Sequence, residues 1–259
     1  MALIQSNVME GNDRMKKNVL ILIPAHNEEK NIKELLRLMM EYKISDWADI
    51  VVVNDGSNDN TKEIVAKYGV EVINLLYNMG YGSALQVGYK YATIKNYEYL
   101  IQLDADGQHD VSNLENIYKA LTRDDKGSKN MPDIVIGSRF LEESVSCKVT
   151  SVKKIAIKFF RKLIKKVSGV KITDPTSGLQ GLNRKAFSYY AEYSNFDYKY
   201  PDINMIIQML LQGFRIVEIP VIMHERKEGT SMHSGFVKPV KYMILMMLST
   251  MNAIYRNHK

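Results

Sequence analysis

Short apolar runs alternate with amphipathic stretches from residue 19 to about residue 140, and no other feature of the chain restricts its fold as much. Residues 19–23 are continuously apolar and stop at Pro24, the pattern of a strand buried on both faces. Residues 31–42 place Ile32, Leu35, Leu36 and Met39 at helical spacing. A second strand at 50–53 runs into the turn-rich Asn54-Asp55-Gly56-Ser57. The spacing then predicts a helix at 61–68 stopped by Gly69, a strand at 70–75, a helix at 82–94, a strand at 99–103, a helix at 111–121 and a strand at 133–136. Such alternation implies parallel pairing with right-handed crossovers: an α/β fold with a mostly parallel central sheet and flanking helices.

Open α/β sheets bind ligands outside the carboxyl ends of their strands. Polar clusters at 24–28, 54–57, 104–110 and 137–139 each follow a predicted strand, so four strand ends point to one composite site. After residue 140 the rhythm changes. A basic segment is followed by the turn-like Asp174-Pro175-Thr176-Ser177-Gly178, a helix at 202–211, a strand at 215–221, a polar loop at 224–234 and a helix at 240–255.

Each cluster carries its own chemistry. Asp104-Ala105-Asp106 sets two carboxylates at a strand end, a costly pairing of like charges unless a cation sits between them. Mg²⁺ or Mn²⁺ prefers oxygen ligands and is commonly shared with substrate phosphates, and Gln108 adds a neutral oxygen. Ordinary turn chemistry is the plainer explanation of the same residues. Asp55 and Glu28 stand where a carboxylate can accept from a nucleobase or ribose, although Asn27 or Ser57 as helix caps would explain the same positions. Gly80-Tyr81-Gly82 opens a helix, where anions are favoured, but it is not GxGxxG. Neither a dinucleotide fingerprint nor a phosphate-binding GxxxxGK[ST] loop is present. Arg139, past a strand end, and Arg226, in the polar loop, have guanidinium groups suited to phosphate. The five histidines show no metal-binding spacing, and there is no G-x-S-x-G.

Charge is unevenly placed. The chain of 259 residues has a net charge of +6, yet residues 148–171 hold nine Lys or Arg and no acid, so the remainder is slightly acidic. That disfavours a uniformly basic nucleic-acid binder, and no nucleic-acid motif is present. Between 151 and 168 the residues Val152, Ile155, Ala156, Phe159, Phe160, Leu163, Ile164 and Val167 form an apolar stripe, with Ile157 off it and Lys or Arg elsewhere. A basic amphipathic helix of this kind suits an anionic membrane surface; packing on the sheet is the alternative. Eight of the 15 methionines lie at or after Met205, and Met suits contact surfaces that repack. The apolar stretch at 242–255 is shorter than the ~20 residues a membrane span needs. Residues 1–17 lack the apolar region of a secretory signal. The lone Cys147 permits no intrachain disulfide and fits a reducing compartment.

The stretches IPAHNEEKNI, VVVNDGSNDNT, YNMGYGSALQVGY, LIQLDADGQHD, VIGSRF, DPTSG and ERKEGTS occur in this order. In this they resemble family 2 glycosyltransferases, above all the dolichol-phosphate mannosyltransferase branch and its bacterial polyprenyl-phosphate relatives. The resemblance covers about residues 18–234. It implies a GT-A fold, with a Rossmann-like sheet, followed by a C-terminal amphipathic helical region. The domains would be a flexible N-terminus at 1–17, a transferase domain at 18–234 holding the basic segment 148–171, and a C-terminal helix at 235–259.

The implied reaction is inverting, metal-dependent transfer of a sugar from a UDP- or GDP-linked donor to a polyprenyl phosphate at the cytoplasmic face of the cell membrane. A saccharide hydroxyl is the alternative acceptor. Pro24, Ala25, His26, Glu28, Asp55, Gly82 and Ala105 would line the donor nucleotide site. Asp104, Asp106 and Gln108 would hold Mg²⁺ or Mn²⁺. Arg139 and Arg226 would contact phosphates, Asp174 and Gly178 match the acceptor-side D-x-x-S-G, and Lys153, Lys154, Ser177 and Ser231 would serve the acceptor phosphate. Tyr81 and Gln180 stand where relatives often carry a basic residue. A phosphate acceptor needs no strong base, whereas a hydroxyl acceptor does, with Asp174, Asp197 and Asp202 as candidates. An anionic membrane surface, a small membrane-protein partner and a homo-oligomer are the expected associations.

Overall fold

The computed structural model describes residues 17–123, 131–146, 151–225 and 237–257. β1 (Val19–Ala25), β2 (Asp49–Asn54), β3 (Glu71–Asn74) and β4 (Tyr99–Gln102) alternate with α1 (Glu29–Glu41), α2 (Thr61–Lys67) and α3 (Tyr81–Ile94). After these come α4 (Asn113–Thr122), β5 (Ile134–Ser138), α5 (Ser151–Ser168), β6 (Gln180–Asn183), α6 (Arg184–Ala191), α7 (Ile203–Leu211), β7 (Ile216–Pro220) and α8 (Val237–Asn257). The strands form one seven-stranded sheet in the order β3-β2-β1-β4-β6-β5-β7. Every pairing is parallel except those of β6, which runs antiparallel to both β4 and β5.

The sheet has an apolar core on each face. Leu20 and Leu22 enter the core with α3, α6 and α7, while Val19, Ile21 and Ile23 enter the one with α1 and α4. Burial on both faces is why β1 reads as an unbroken apolar run. The strand also continues through Pro24 to Ala25, beyond the expected stop at Ile23. The carbonyl of Leu22 accepts from Leu103 and that of Ala25 from Asp55, so even-numbered residues face β4. Pro24 therefore points its missing N–H to a side where pairing with β4 has already ended at Leu22.

Two elements escaped the sequence pattern. β6 has four residues, Gln-Gly-Leu-Asn, too short and polar for a period to show. A Cβ at Gly181 would lie 2.3 Å from Ile117, so the glycine admits α4 against the sheet. Asn183 then caps α6, the second unforeseen element, by accepting from the Ala186 N–H at 3.0 Å.

α5 occupies the expected span, but its buried face is rotated. Ile157, Phe160 and Ile164 are buried, whereas Ile155 is 71% exposed and Phe159 50%. Ile157, set outside the stripe in the sequence, thus belongs to the core, and two stripe residues face outward. α8 packs along α7, burying Met246 and Ala253 and exposing Met247, Leu248, Met251 and Tyr255. No helix among the described residues is long and apolar enough to cross a membrane.

Candidate active site

The parallel strands β1, β2, β4 and β5 end on one edge of the sheet, where β1 sits between β2 and β4. Strand order reverses between β1 and β4, and open α/β sheets bind ligands outside the carboxyl ends at such a point.

At the β1 and β2 ends the loops lock together. His26 Nδ1 lies 2.7 Å from the Asp55 carbonyl, which can only accept, so Nδ1 carries the proton. Nε2 then accepts from Asn78 at 2.9 Å and Asn27 at 3.1 Å. The buried Asp55 carboxylate accepts from the N–H groups of Met79 at 2.7 Å and Gly80 at 2.9 Å. Asp55 thus fixes the loop that leads into α3. Asn27, at φ 54°, donates its N–H to Ser57, and Glu28 donates its own to Thr61. The α1 entry is satisfied by side chains of the next loop, not by a cap of its own.

Asp104 and Asp106 follow β4, whose last residue, Gln102, accepts a hydrogen bond from the buried Tyr89 hydroxyl and donates to the Gly178 carbonyl at 3.2 Å. The half-buried Asp104 accepts from the Tyr81 hydroxyl at 2.9 Å. Burial, then the charge of Asp106, push the Asp104 carboxyl up to about 6, against the opposing pull of Tyr81 and Arg139. The same burial and the nearby carboxylate hold the Tyr81 hydroxyl well above its ordinary range, so it remains a donor. Among the described residues no three His, Cys, Asp or Glu side chains converge on one point. A carboxylate pair whose charge is disfavoured in this way suits a hard divalent cation that draws its remaining ligands from elsewhere. Gln108 is tied through its backbone, its N–H to Asp106 at 3.1 Å and its carbonyl to the His224 N–H at 2.7 Å. His224 also meets Asp110 at 2.8 Å.

Arg139, beyond β5, forms a two-pronged ion pair with Asp174, Nε to Oδ2 at 2.6 Å and Nη2 to Oδ1 at 2.7 Å. It also donates to Thr176. Although burial works against the charge, Asp174 raises the Arg139 pKa above its ordinary value. Glu218 of β7 accepts from the N–H groups of Thr173 and Asp174 at 2.6 and 2.7 Å. Asp174 is fully buried and both its carboxylate oxygens accept hydrogen bonds from Arg139. Asp197 is similarly engaged, accepting from Asn204, Ser249 and the N–H groups of Lys199 and Tyr200. Asp202, at the start of α7, is half-buried, and its charge reaches both Tyr81 and Arg139.

The expected site residues divide accordingly. Pro24, Ala25, His26, Glu28, Asp55, Asp104, Ala105, Asp106, Gln108 and Arg139 all stand at this edge. Gly82 stands at the start of α3, and a Cβ there would lie 2.2 Å from the Tyr198 carbonyl, so its bareness seats α3 against that loop. Ser177 is buried within its turn. Lys154 is exposed on α5, and the Lys153 side chain, Arg226 and Ser231 lie outside the described residues, as do Cys147, Lys148 and the N-terminal 1–16. Sequence reasoning missed Tyr81, which contacts Asp104, as well as Glu218 and His109. A lone acid in the apolar strand Ile-Val-Glu-Ile-Pro was a usable signal for Glu218. His109 is buried, its Nδ1 has no hydrogen-bond partner among the described residues, and burial, then Arg139, depress its pKa to about 4.

The glycosyl transferase family 2 model matches residues 20–190. An uncharacterized protein of Methanocaldococcus jannaschii is 30% identical over 87% of this chain and 90% of its own length. The dolichyl-phosphate beta-glucosyltransferase of Saccharomyces cerevisiae is 26% identical over 98% of this chain and 81% of that one. The polyprenol monophosphomannose synthase of Mycolicibacterium smegmatis is 26% identical over 86% and 83%. Glucosyl-3-phosphoglycerate synthase from Mycobacterium tuberculosis, solved with UDP, superposes with a TM-score of 0.65 at 13% identity, covering 93% of this chain and 80% of that one. A mannosyltransferase from Pyrobaculum calidifontis, solved with GDP-Man and Mn²⁺, does so at 0.63 and 17%, covering 92% and 65%. The fold is that of GT-A glycosyltransferases.

Proposed function

This chain belongs to glycosyl transferase family 2, and from that premise we propose that it transfers a sugar from a nucleoside diphosphate to a polyprenyl phosphate, with inversion. The carrying observation is the Asp104–Asp106 pair, two carboxylates held beside each other at the carboxyl edge of the sheet, the first at a raised pKa. Relatives named for dolichyl or polyprenol phosphate support the acceptor class. The Mn²⁺ reported with the Pyrobaculum enzyme supports a divalent cation.

Asp104 and Asp106, with the neighbouring Gln108, would hold Mg²⁺ or Mn²⁺. When bound, the cation neutralises charge gathering on the leaving diphosphate. Tyr81 orients Asp104 through its hydrogen bond, and Gly178 leaves room for the carboxylate. Arg139, its fork held by Asp174, presents preorganised positive charge near the transferring group. An acceptor phosphate oxygen attacks the anomeric carbon opposite the diphosphate; a new carbon–oxygen bond forms, and the nucleoside diphosphate departs with the electron pair of the old one. A phosphate with its second pKa near ~6 is already largely ionised and requires no base. A saccharide hydroxyl would require one, and the position of Asp202 favours that second reading.

Ile155 and Phe159 stand exposed on α5 beside Lys154, Lys158 and Lys162, a combination that favours docking on the anionic inner face of the cell membrane. The test supplies radiolabelled UDP- and GDP-sugars, Mn²⁺, and either polyprenyl phosphate or an oligosaccharide. Label in the polyprenyl product is expected. Label confined to the oligosaccharide refutes the lipid acceptor, and full turnover by Asp106→Ala refutes the metal site.

A further inference from the structure

We propose that Arg161 of α5 binds the phosphate monoester of the acceptor, a role that rests on the transfer reaction proposed above. Among the basic side chains described on α5, Lys154, Lys158, Lys162, Lys165 and Lys166 are exposed and Arg161 alone is turned inward. Its position follows from helical spacing: it stands four residues after Ile157 and three before Ile164, both buried. The guanidinium packs over the Phe140 ring, its carbon 4.4 Å from the ring centroid, and the Arg139 guanidinium approaches the same ring at 5.6 Å. Phe140 is itself held in place, its N–H donating to Ser138 Oγ at 3.2 Å.

Nε and Nη2 of Arg161 are buried and have no hydrogen-bond partner among the described residues. Buried charged donors without acceptors are costly, and a fold keeps them where an anion completes the site. The charge balance identifies that anion. Asp174 already compensates Arg139, and Asp104 with Asp106 repel a dianion that approaches the site. A phosphate monoester therefore requires a cation that is not already paired. Arg161 supplies one at the Phe140 ring that the Arg139 guanidinium also approaches, with two donors of a planar fork that matches phosphate oxygens.

The experiment measures KM for donor and acceptor in wild type, Arg161→Met and Arg161→Lys, with polyprenyl phosphate in detergent and with phosphoglyceric acid as a soluble phosphate monoester. Arg161→Met is expected to raise acceptor KM about tenfold or more while donor KM moves less than about twofold. Arg161→Lys, which keeps the charge without the fork, is expected to recover part of the loss. Equal losses with both acceptors assign the site to the phosphate itself; use of polyprenyl phosphate alone assigns it to the lipid-borne phosphate. Thermal melting separates this role from a structural one: removing a buried unpaired charge leaves the Arg161→Met midpoint unchanged or higher. An unchanged acceptor KM in a wild type that uses phosphate acceptors overturns the inference alone, as does a lowered midpoint with donor and acceptor KM raised together. A wild type that transfers only to hydroxyl groups overturns the proposed reaction, and this inference with it.

Discussion

A Cβ placed on Gly178 would lie 2.0 Å from Oδ2 of Asp104. The glycine of the 174–178 turn and the first carboxylate after β4 therefore share one space, although they lie far apart in the chain. Gly178→Ala must push Asp104 aside, away from Tyr81 and Asp106. A displacement near 1 Å at a catalytic group costs roughly a hundredfold in rate. The expected outcome is a fall of about that size in kcat at saturating donor and Mn²⁺, with a modest change in melting midpoint. Turnover within a few-fold of wild type would show that Asp104 does not need its present position.

Asp174 serves Arg139, and its loss is felt first as stability. Removing one partner of a buried ion pair leaves the other charge uncompensated, at a cost of about 3 kcal/mol. Asp174→Asn is expected to destabilise by about that amount in denaturant melts. Arg139→Met combined with Asp174→Asn should cost less than the two separate effects, by about 1 kcal/mol or more. Strict additivity would mean that the pair, despite its 2.6 Å contact, is not energetically coupled.

The Tyr81 hydroxyl donates to Asp104 and opposes the burial that raises its carboxyl. Tyr81→Phe removes that hydrogen bond, so the Asp104 carboxyl rises above about 6 and holds its proton to higher pH. A cation must displace that proton to bind. Mn²⁺ activation measured at pH 6 should weaken about tenfold in the variant, with a smaller loss at pH 8 where the carboxyl is ionised in both proteins. A loss of equal size at both values would show that the hydroxyl acts on something other than the ionisation of Asp104.

The strand ends and their polar clusters were legible in the sequence because a doubly buried parallel strand is an unbroken apolar run, and the polar residues that end it must lie at the sheet edge. The pairings across that edge were not. Arg139 and Asp174 are separated by α5, and nothing local links them. The role of Tyr81 toward Asp104 does not show in the sequence because Asp104 arrives from a different strand. The buried face of α5 differs from the stripe: Ile155 and Ile157 border the apolar half on opposite sides, and packing on α7, not periodicity, decides which face is covered. β6 is invisible for a related reason, since four residues that include a glycine carry no period of their own.

His109 gives the protein a pH dependence separate from catalysis. Burial, then the positive charge of Arg139, hold its imidazole at about 4, against a usual value near 6.5. Between those values the unfolded chain binds a proton that the folded protein refuses, so stability falls as pH drops from about 6.5 to about 4. The integrated loss is about 3 kcal/mol. The depressed carboxyls of Asp59 and Asp110 contribute at lower pH, since their ordinary value is already 3.8 and the fold moves them further down. His109→Gln removes the titration while keeping a polar side chain. In urea melts at pH 7.0 and 4.5 the variant should lose less stability on acidification than wild type. Parallel losses in the two proteins would mean that the imidazole takes up its proton without leaving its buried place.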